Sequence, residues 1–131
     1  VNLCAGAIHR TDSTAKVSSG IWNAVAMTDI NKIGGAVNRY SDSQLVKAGG
    51  DKDGVLDFYQ LHYYPEWYGE AYSPFFNPVS YWQVDKPVII GEFPAHGIIK
   101  GDAVRFVPKS ELTPMESYNY AFNNGYAGAM S

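Results

Sequence analysis

The chain has 131 residues, 46% of them hydrophobic, with a net charge of −3 and no block of like charges, which is the composition of one globular domain and lacks the basic stripe of a nucleic-acid binder. No apolar run approaches the ~20 residues that cross a bilayer, and Val1-Asn2-Leu3-Cys4 lacks the basic flank of a signal peptide. Cys4 is the single cysteine, so an internal disulfide and a cysteine-based zinc site are both excluded.

In chain order, residues 1–10 read as a helix and Ala15 to Ile21 as a strand. Ser41 or Asp42 can cap a helix running through Leu45, Val46 and Ala48 to Gly49-Gly50. Asp51-Lys52-Asp53-Gly54 reads as a turn: it begins like a calcium loop but lacks the later ligands and the closing glutamate. It leads into the apolar strand Val55 to His62. A short helix is expected over Asn77 to Gln83, followed by a second apolar strand from Lys86 to Glu92. Thr113-Pro114-Met115-Glu116 is a capping box with proline at the first helical position, opening a helix that should end at Asn124-Gly125 before a last strand, Tyr126 to Ser131.

This alternation predicts a parallel α/β sheet. Connections after the strands are long (22–40, 65–76, 93–112), whereas those before them are short. In βα proteins ligands sit on the long loops at the carboxyl ends of the strands. That face should hold Trp22, Asn23, His62, Tyr64, Trp67, Glu92, Phe93 and His96.

Glu92 is the most informative of these. A carboxylate that ends the run Val88-Ile89-Ile90-Gly91 either meets a cleft or is buried at a cost of several kcal/mol unless paired. A structural role, capping a loop amide or meeting a lysine, is the competing reading. His62 and Tyr64 lie two apart at the end of the preceding strand, so both side chains share a face, and a tyrosine hydroxyl there can hold a carboxylate ionised and oriented. They can equally be packed core residues. Aromatic residues make up 15% of the chain and crowd residues 58–82, which suits either stacking on sugar rings or packing beneath a long loop. His9, His62 and His96 have no metal-ligand spacing and no phosphate loop is present, so neither a metal nor a cofactor is expected.

His62-Tyr63-Tyr64-Pro65, followed by Lys86-Pro87-Val88-Ile89-Ile90-Gly91-Glu92-Phe93, resembles strands 6 and 7 of the clan A glycoside hydrolases, especially family 5 cellulases and mannanases. Ala7-Ile8-His9-Arg10 resembles the helix before strand 5 and Gly125 to Ser131 resembles strand 8, so the resemblance covers nearly the whole chain. It implies the C-terminal half of a (β/α)8 TIM barrel, four parallel strands with flanking helices, in one unit over residues 1–131; a complete barrel needs ~250. It also implies a retaining mechanism on a β-1,4-linked polysaccharide, mannan before cellulose, in a secreted parent enzyme. Glu92 maps onto the nucleophile, Tyr64 onto its hydrogen-bond donor and His62 onto a subsite-lining histidine, with Trp22, Asn23, Trp67, Phe93 and His96 around the substrate. The family's acid/base glutamate follows an asparagine on strand 4. No Asn-Glu dipeptide occurs here, and the resemblance places that residue before Val1. The tryptophan that follows strand 8 in the family has no counterpart before Ser131.

Two other classes of function compete: a carbohydrate-binding module in which Trp22, Trp67 and Tyr72 stack on sugars without turnover, and a half-barrel with a structural role alone. In each case four strands taken from eight leave edges near Val17 and Ala129 and an apolar inner face. The expected partner is a second copy or the N-terminal half-barrel.

Overall fold

Three short helices and four strands follow one another in the expected alternation in the computed structural model, which describes residues 1–103 and 107–131. They are α1 (Asn2–Thr11), β1 (Gly20–Ile21), α2 (Asp42–Gly49), β2 (Tyr59–His62), β3 (Val88–Glu92), α3 (Pro114–Asn123) and β4 (Gly128–Ala129). The strands form one sheet in the order β1-β2-β3-β4, every pair parallel. This is the four-stranded βα arrangement of a half-barrel.

The local signals act as expected at the helix ends. Thr113 accepts from Glu116 N–H while Glu116 reaches back to Thr113 N–H, so the capping box is complete, with Pro114 at the first helical position. Gly50 ends α2 in the left-handed region (φ 78°), which a residue with a Cβ adopts at a cost. Ser41 occupies the N-cap of α2 without a side-chain capping bond. Between α2 and β2, the 51–54 turn is tied to α1: Asn2 Nδ2 donates to the carbonyls of Asp51 and Gly54 at 2.8 Å each. Asp51 accepts from Arg10 at 2.7 Å, so its carboxylate serves the turn.

Two expectations are corrected in extent. The helix expected over 77–83 is a 3₁₀ turn, Val79–Trp82, and it stops where Gln83 enters positive φ (52°). All four strands are shorter than expected: Ala15 to Ile21 pairs only over Gly20–Ile21, Val55 to His62 over Tyr59–His62, Lys86 to Glu92 over Val88–Glu92, and Tyr126 to Ser131 over Gly128–Ala129.

The core lies on the outer side of the sheet. Tyr59, Leu61 and Tyr63 from β2 and its exit, and Val88 and Ile90 from β3, are fully buried with Ile21, Met27, Phe75, Trp82, Phe93 and Ile98. The aromatic crowding of residues 58–82 is therefore largely packing: Trp82 Nε1 donates to Tyr126 Oη at 2.6 Å, the Tyr126 hydroxyl donates in turn to the Asn77 carbonyl, and Phe75 meets Phe93 edge-on at 4.9 Å. The alternate residues face the opposite, inner side, where Phe58, Ile89 and Ala127 line an open depression of about 490 Å³ with Lys16, Asp57 and Pro87. This apolar inner face has no opposite wall among the described residues.

One charged cluster closes the lower edge of that face. Asp57 accepts from Val17 N–H at 2.8 Å, from His9 Nε2 at 2.9 Å and from Lys16 Nζ at 3.2 Å. Burial works against the charge, but these donors outweigh it and hold the Asp57 carboxyl at about 2. His9 Nδ1 lies 2.9 Å from the Asp53 carbonyl, so both ring nitrogens face acceptors. The Asp53 carbonyl and the Asp57 carboxylate raise the His9 pKa.

Candidate active site

A β-bulge sets the geometry of the carboxyl ends of β2 and β3. The register runs Tyr59 with Val88, Gln60 with Ile89 and Leu61 with Ile90, and then His62 with Glu92. Gly91 is the extra residue. Strict alternation from the buried Val88 and Ile90 would send Glu92 outward into the core. The inserted residue reverses that, and Glu92 joins Gln60 and His62 on the inner face.

There the side chains converge. Tyr64 Oη donates to Glu92 Oε2 at 3.1 Å, and His62 Nδ1 lies 3.3 Å from the same oxygen. Burial, followed by the Glu92 carboxylate as hydrogen-bond acceptor and as charge, raises the Tyr64 pKa, so the phenol keeps its proton and remains a donor. Two groups from β2 and its exit thus address Oε2, while Oε1 takes no hydrogen bond from the described residues. The carboxylate is open to solvent, with 54% of its side chain exposed, as a group that meets a ligand requires. The shared face expected of His62 and Tyr64 is present, and it includes Glu92.

The remaining expected residues divide. Trp22 and Trp67 stand exposed (69% and 58%) on the loops after β1 and β2, free to present ring faces. Asn23 ties its loop together: its oxygen caps Val25 N–H and its amide donates to Tyr68 Oη at 2.7 Å. His96 is exposed but pairs with Asp102 at 2.6 Å rather than with Glu92. Phe93 is a correction: it is 2% exposed and packed between Phe75 and Tyr118 in the outer layer. The bulge that turns Glu92 inward turns its neighbour outward, so Phe93 offers no surface to a ligand.

Two further carboxylates follow β2. Glu70 is taken up by Lys109, whose backbone and ammonium both contact it. Glu66 lies close enough to Tyr64 for its charge to bear on the phenol. Sequence reasoning missed Gln60, whose Nε2 lies 3.3 Å from His62 Nε2. The signal was present: Gln60, His62 and Tyr64 keep a spacing of two along β2 and its exit. Among the described residues no cluster of three metal-ligating side chains occurs.

No protein-family model matches the chain. Individual proteins do. Mannan endo-1,4-beta-mannosidase from Cryptopygus antarcticus is 37% identical over 135 residues, covering all of this chain and 31% of that protein; its counterpart from Mytilus edulis is 38% identical over 133 residues, covering 98% and 32%. The crystal structure of endo-1,4-beta-mannanase from Eisenia fetida superposes with a TM-score of 0.79 at 37% identity, covering all of this chain and 33% of that one. The chain therefore spans about a third of the length of these relatives. It is a relative of the β-mannanases, of the family 5-like glycoside hydrolase type, and its four parallel strands correspond to the C-terminal part of their barrels.

Proposed function

We propose that this chain supplies the nucleophile-bearing half of a retaining β-mannanase site. Glu92 Oε1 attacks the anomeric carbon of a β-1,4-linked mannan, the bond to the departing sugar oxygen breaks, and a glycosyl ester forms on the carboxylate. The observation that carries this reading is the placement of His62 and Tyr64 on a single oxygen of an exposed, strand-end carboxylate: they hold it oriented and leave the other oxygen to react. The proton for the leaving group comes from a second carboxyl about 5–5.5 Å away, as retention demands. We assign that carboxyl to the strand-4 glutamate that the resemblance places outside these 131 residues. The barrel strands outside these residues, or a second copy of the chain, also cover the open inner face at Phe58, Ile89 and Ala127.

Trapping tests this. A fluorosugar with an activated leaving group needs no acid, so it should label Glu92 covalently even in the 131-residue chain, with the adduct visible by mass spectrometry and absent from Glu92→Gln. The exposed Trp22 and Trp67 favour a second reading, in which the chain binds oligosaccharide without turnover. Saturable mannooligosaccharide binding with no Glu92 adduct would support that alternative.

A further inference from the structure

Three polar side chains stand in a row on the inner face of β2 and its exit, and the mechanism above uses two of them. The third, Gln60, touches His62 instead of Glu92. Its amide Nε2 lies 3.3 Å from His62 Nε2, while the other ring nitrogen, Nδ1, lies 3.3 Å from Glu92 Oε2. The two nitrogens thus face partners of opposite kind. A carboxylate oxygen only accepts, so the nitrogen turned toward it must carry a hydrogen; an amide NH₂ only donates, so the nitrogen turned toward it must offer a lone pair. One species meets both conditions: neutral imidazole with its proton on Nδ1.

We propose that Gln60 is a positioning residue, holding His62 as the neutral Nδ1–H tautomer and so turning the ring's donor onto Glu92. That tautomer is the minor form of a free neutral imidazole, and it persists only where a neighbour favours it. What it does for catalysis rests on the reading of Glu92 as the nucleophile. A neutral N–H orients the carboxylate without neutralising it, whereas an imidazolium would pair with the negative charge needed for attack. The opposite tautomer would set a lone pair against a carboxylate oxygen, and Glu92 would turn away.

The sequence clears space for this chain of contacts. A Cβ on Gly91, the bulge residue, would lie 2.3 Å from Gln60 Cγ and Nε2. A Cβ on Gly20 of β1 would lie 3.1 Å from His62 Cε1 and 3.3 Å from Nε2. Neither glycine has positive φ, so close approach accounts for the residue type at both positions. Gly91 therefore has two roles: it turns Glu92 inward, and it leaves room for the amide that orients Glu92's neighbour.

The assignment is read directly from ring-nitrogen NMR of the 15N-labelled chain at neutral pH. Three histidines are present, and His62 is identified by the signal lost in His62→Gln. The expected wild-type pattern is a protonated Nδ1 and a bare Nε2. Gln60→Leu should lose that pattern in favour of Nε2–H. Gly91→Ala, which pushes the amide aside, should do the same, and Gln60→Glu, an acceptor in place of a donor, should give a doubly protonated ring. A wild-type ring that is doubly protonated would mean that the amide presents its oxygen instead, and would overturn the proposal. So would a wild-type Nε2–H tautomer, or a tautomer unchanged in Gln60→Leu. The wild-type measurement decides even if a variant fails to fold. Fluorosugar labelling is independent of it: an Nδ1–H ring without labelling would sink the nucleophile reading and leave Gln60's role standing, and labelling beside an Nε2–H ring would do the reverse.

Discussion

Replacing Asp57 by asparagine should cost about 2 kcal/mol at neutral pH and almost nothing in strong acid. The carboxyl sits at about 2 in the folded chain against an ordinary value of 3.8, and each pKa unit is worth about 1.4 kcal/mol. Asp57 is three-quarters covered, with 24% of its side chain exposed, so solvent screens these contacts only in part, although Lys16, 69% exposed, adds little. The sign follows from the direction of the shift. A depressed carboxyl contributes stability that is complete above its unfolded value near 3.8 and is lost as pH falls toward about 2. Urea unfolding of the wild type and of Asp57→Asn, followed from about pH 7 down to about pH 2, should show equal m-values and a stability gap that closes in acid. A gap of the same size at both extremes, or no gap at neutral pH, would refute the reasoning.

His9 should give the opposite trend: its raised pKa means that its contribution is complete below the ordinary value of 6.5 and lost as pH climbs through the folded value, a loss that His9→Gln should not show. Tyr64→Phe removes a bond to a charged acceptor, so fluorosugar labelling of Glu92 should slow by roughly 10- to 100-fold while the melting temperature moves little. Phe93→Ala should destabilise by about 3–5 kcal/mol, whereas Trp22→Ala should stay within about 0.5 kcal/mol and weaken mannooligosaccharide binding; calorimetry on both variants separates a packed ring from a presented one. The 131-residue chain alone should run as a dimer in light scattering at micromolar concentration, and Ile89→Glu on the inner face should shift it toward monomer. A folded wild-type monomer would show that the open face needs no cover.

Much of the architecture was legible in the sequence because its signals are local. The capping box at Thr113, the left-handed glycine at Gly50 and the short apolar runs before His62 and Glu92 each act within a few residues, and together they suffice for an alternating parallel sheet. Strand length was less legible, since the pairing of Gly20 and Ile21 depends on which neighbours are present rather than on what Ala15 to Ser19 are. The convergence of Glu92, Tyr64 and His62 on one face was legible from their position at strand ends. Phe93 was misplaced and Gln60 overlooked for a single reason. The bulge is a property of two strands in register, and Val88-Ile89-Ile90-Gly91-Glu92 contains nothing that announces it except a glycine.

Gly91 also places the chain one residue away from an inverted site. Removing it would do more than shorten β3: beyond that point every side chain would exchange inside for outside. Glu92 would enter the ring cluster of Phe75 and Tyr118 as an unpaired charge, and Phe93 would emerge into the cleft in its place. The same single-residue parity decides both where the Glu92 carboxylate points and whether the aromatic layer behind it is filled. A deletion there would displace the carboxylate and disrupt the aromatic layer together, whereas a side-chain substitution on either face alters one and leaves the other in place.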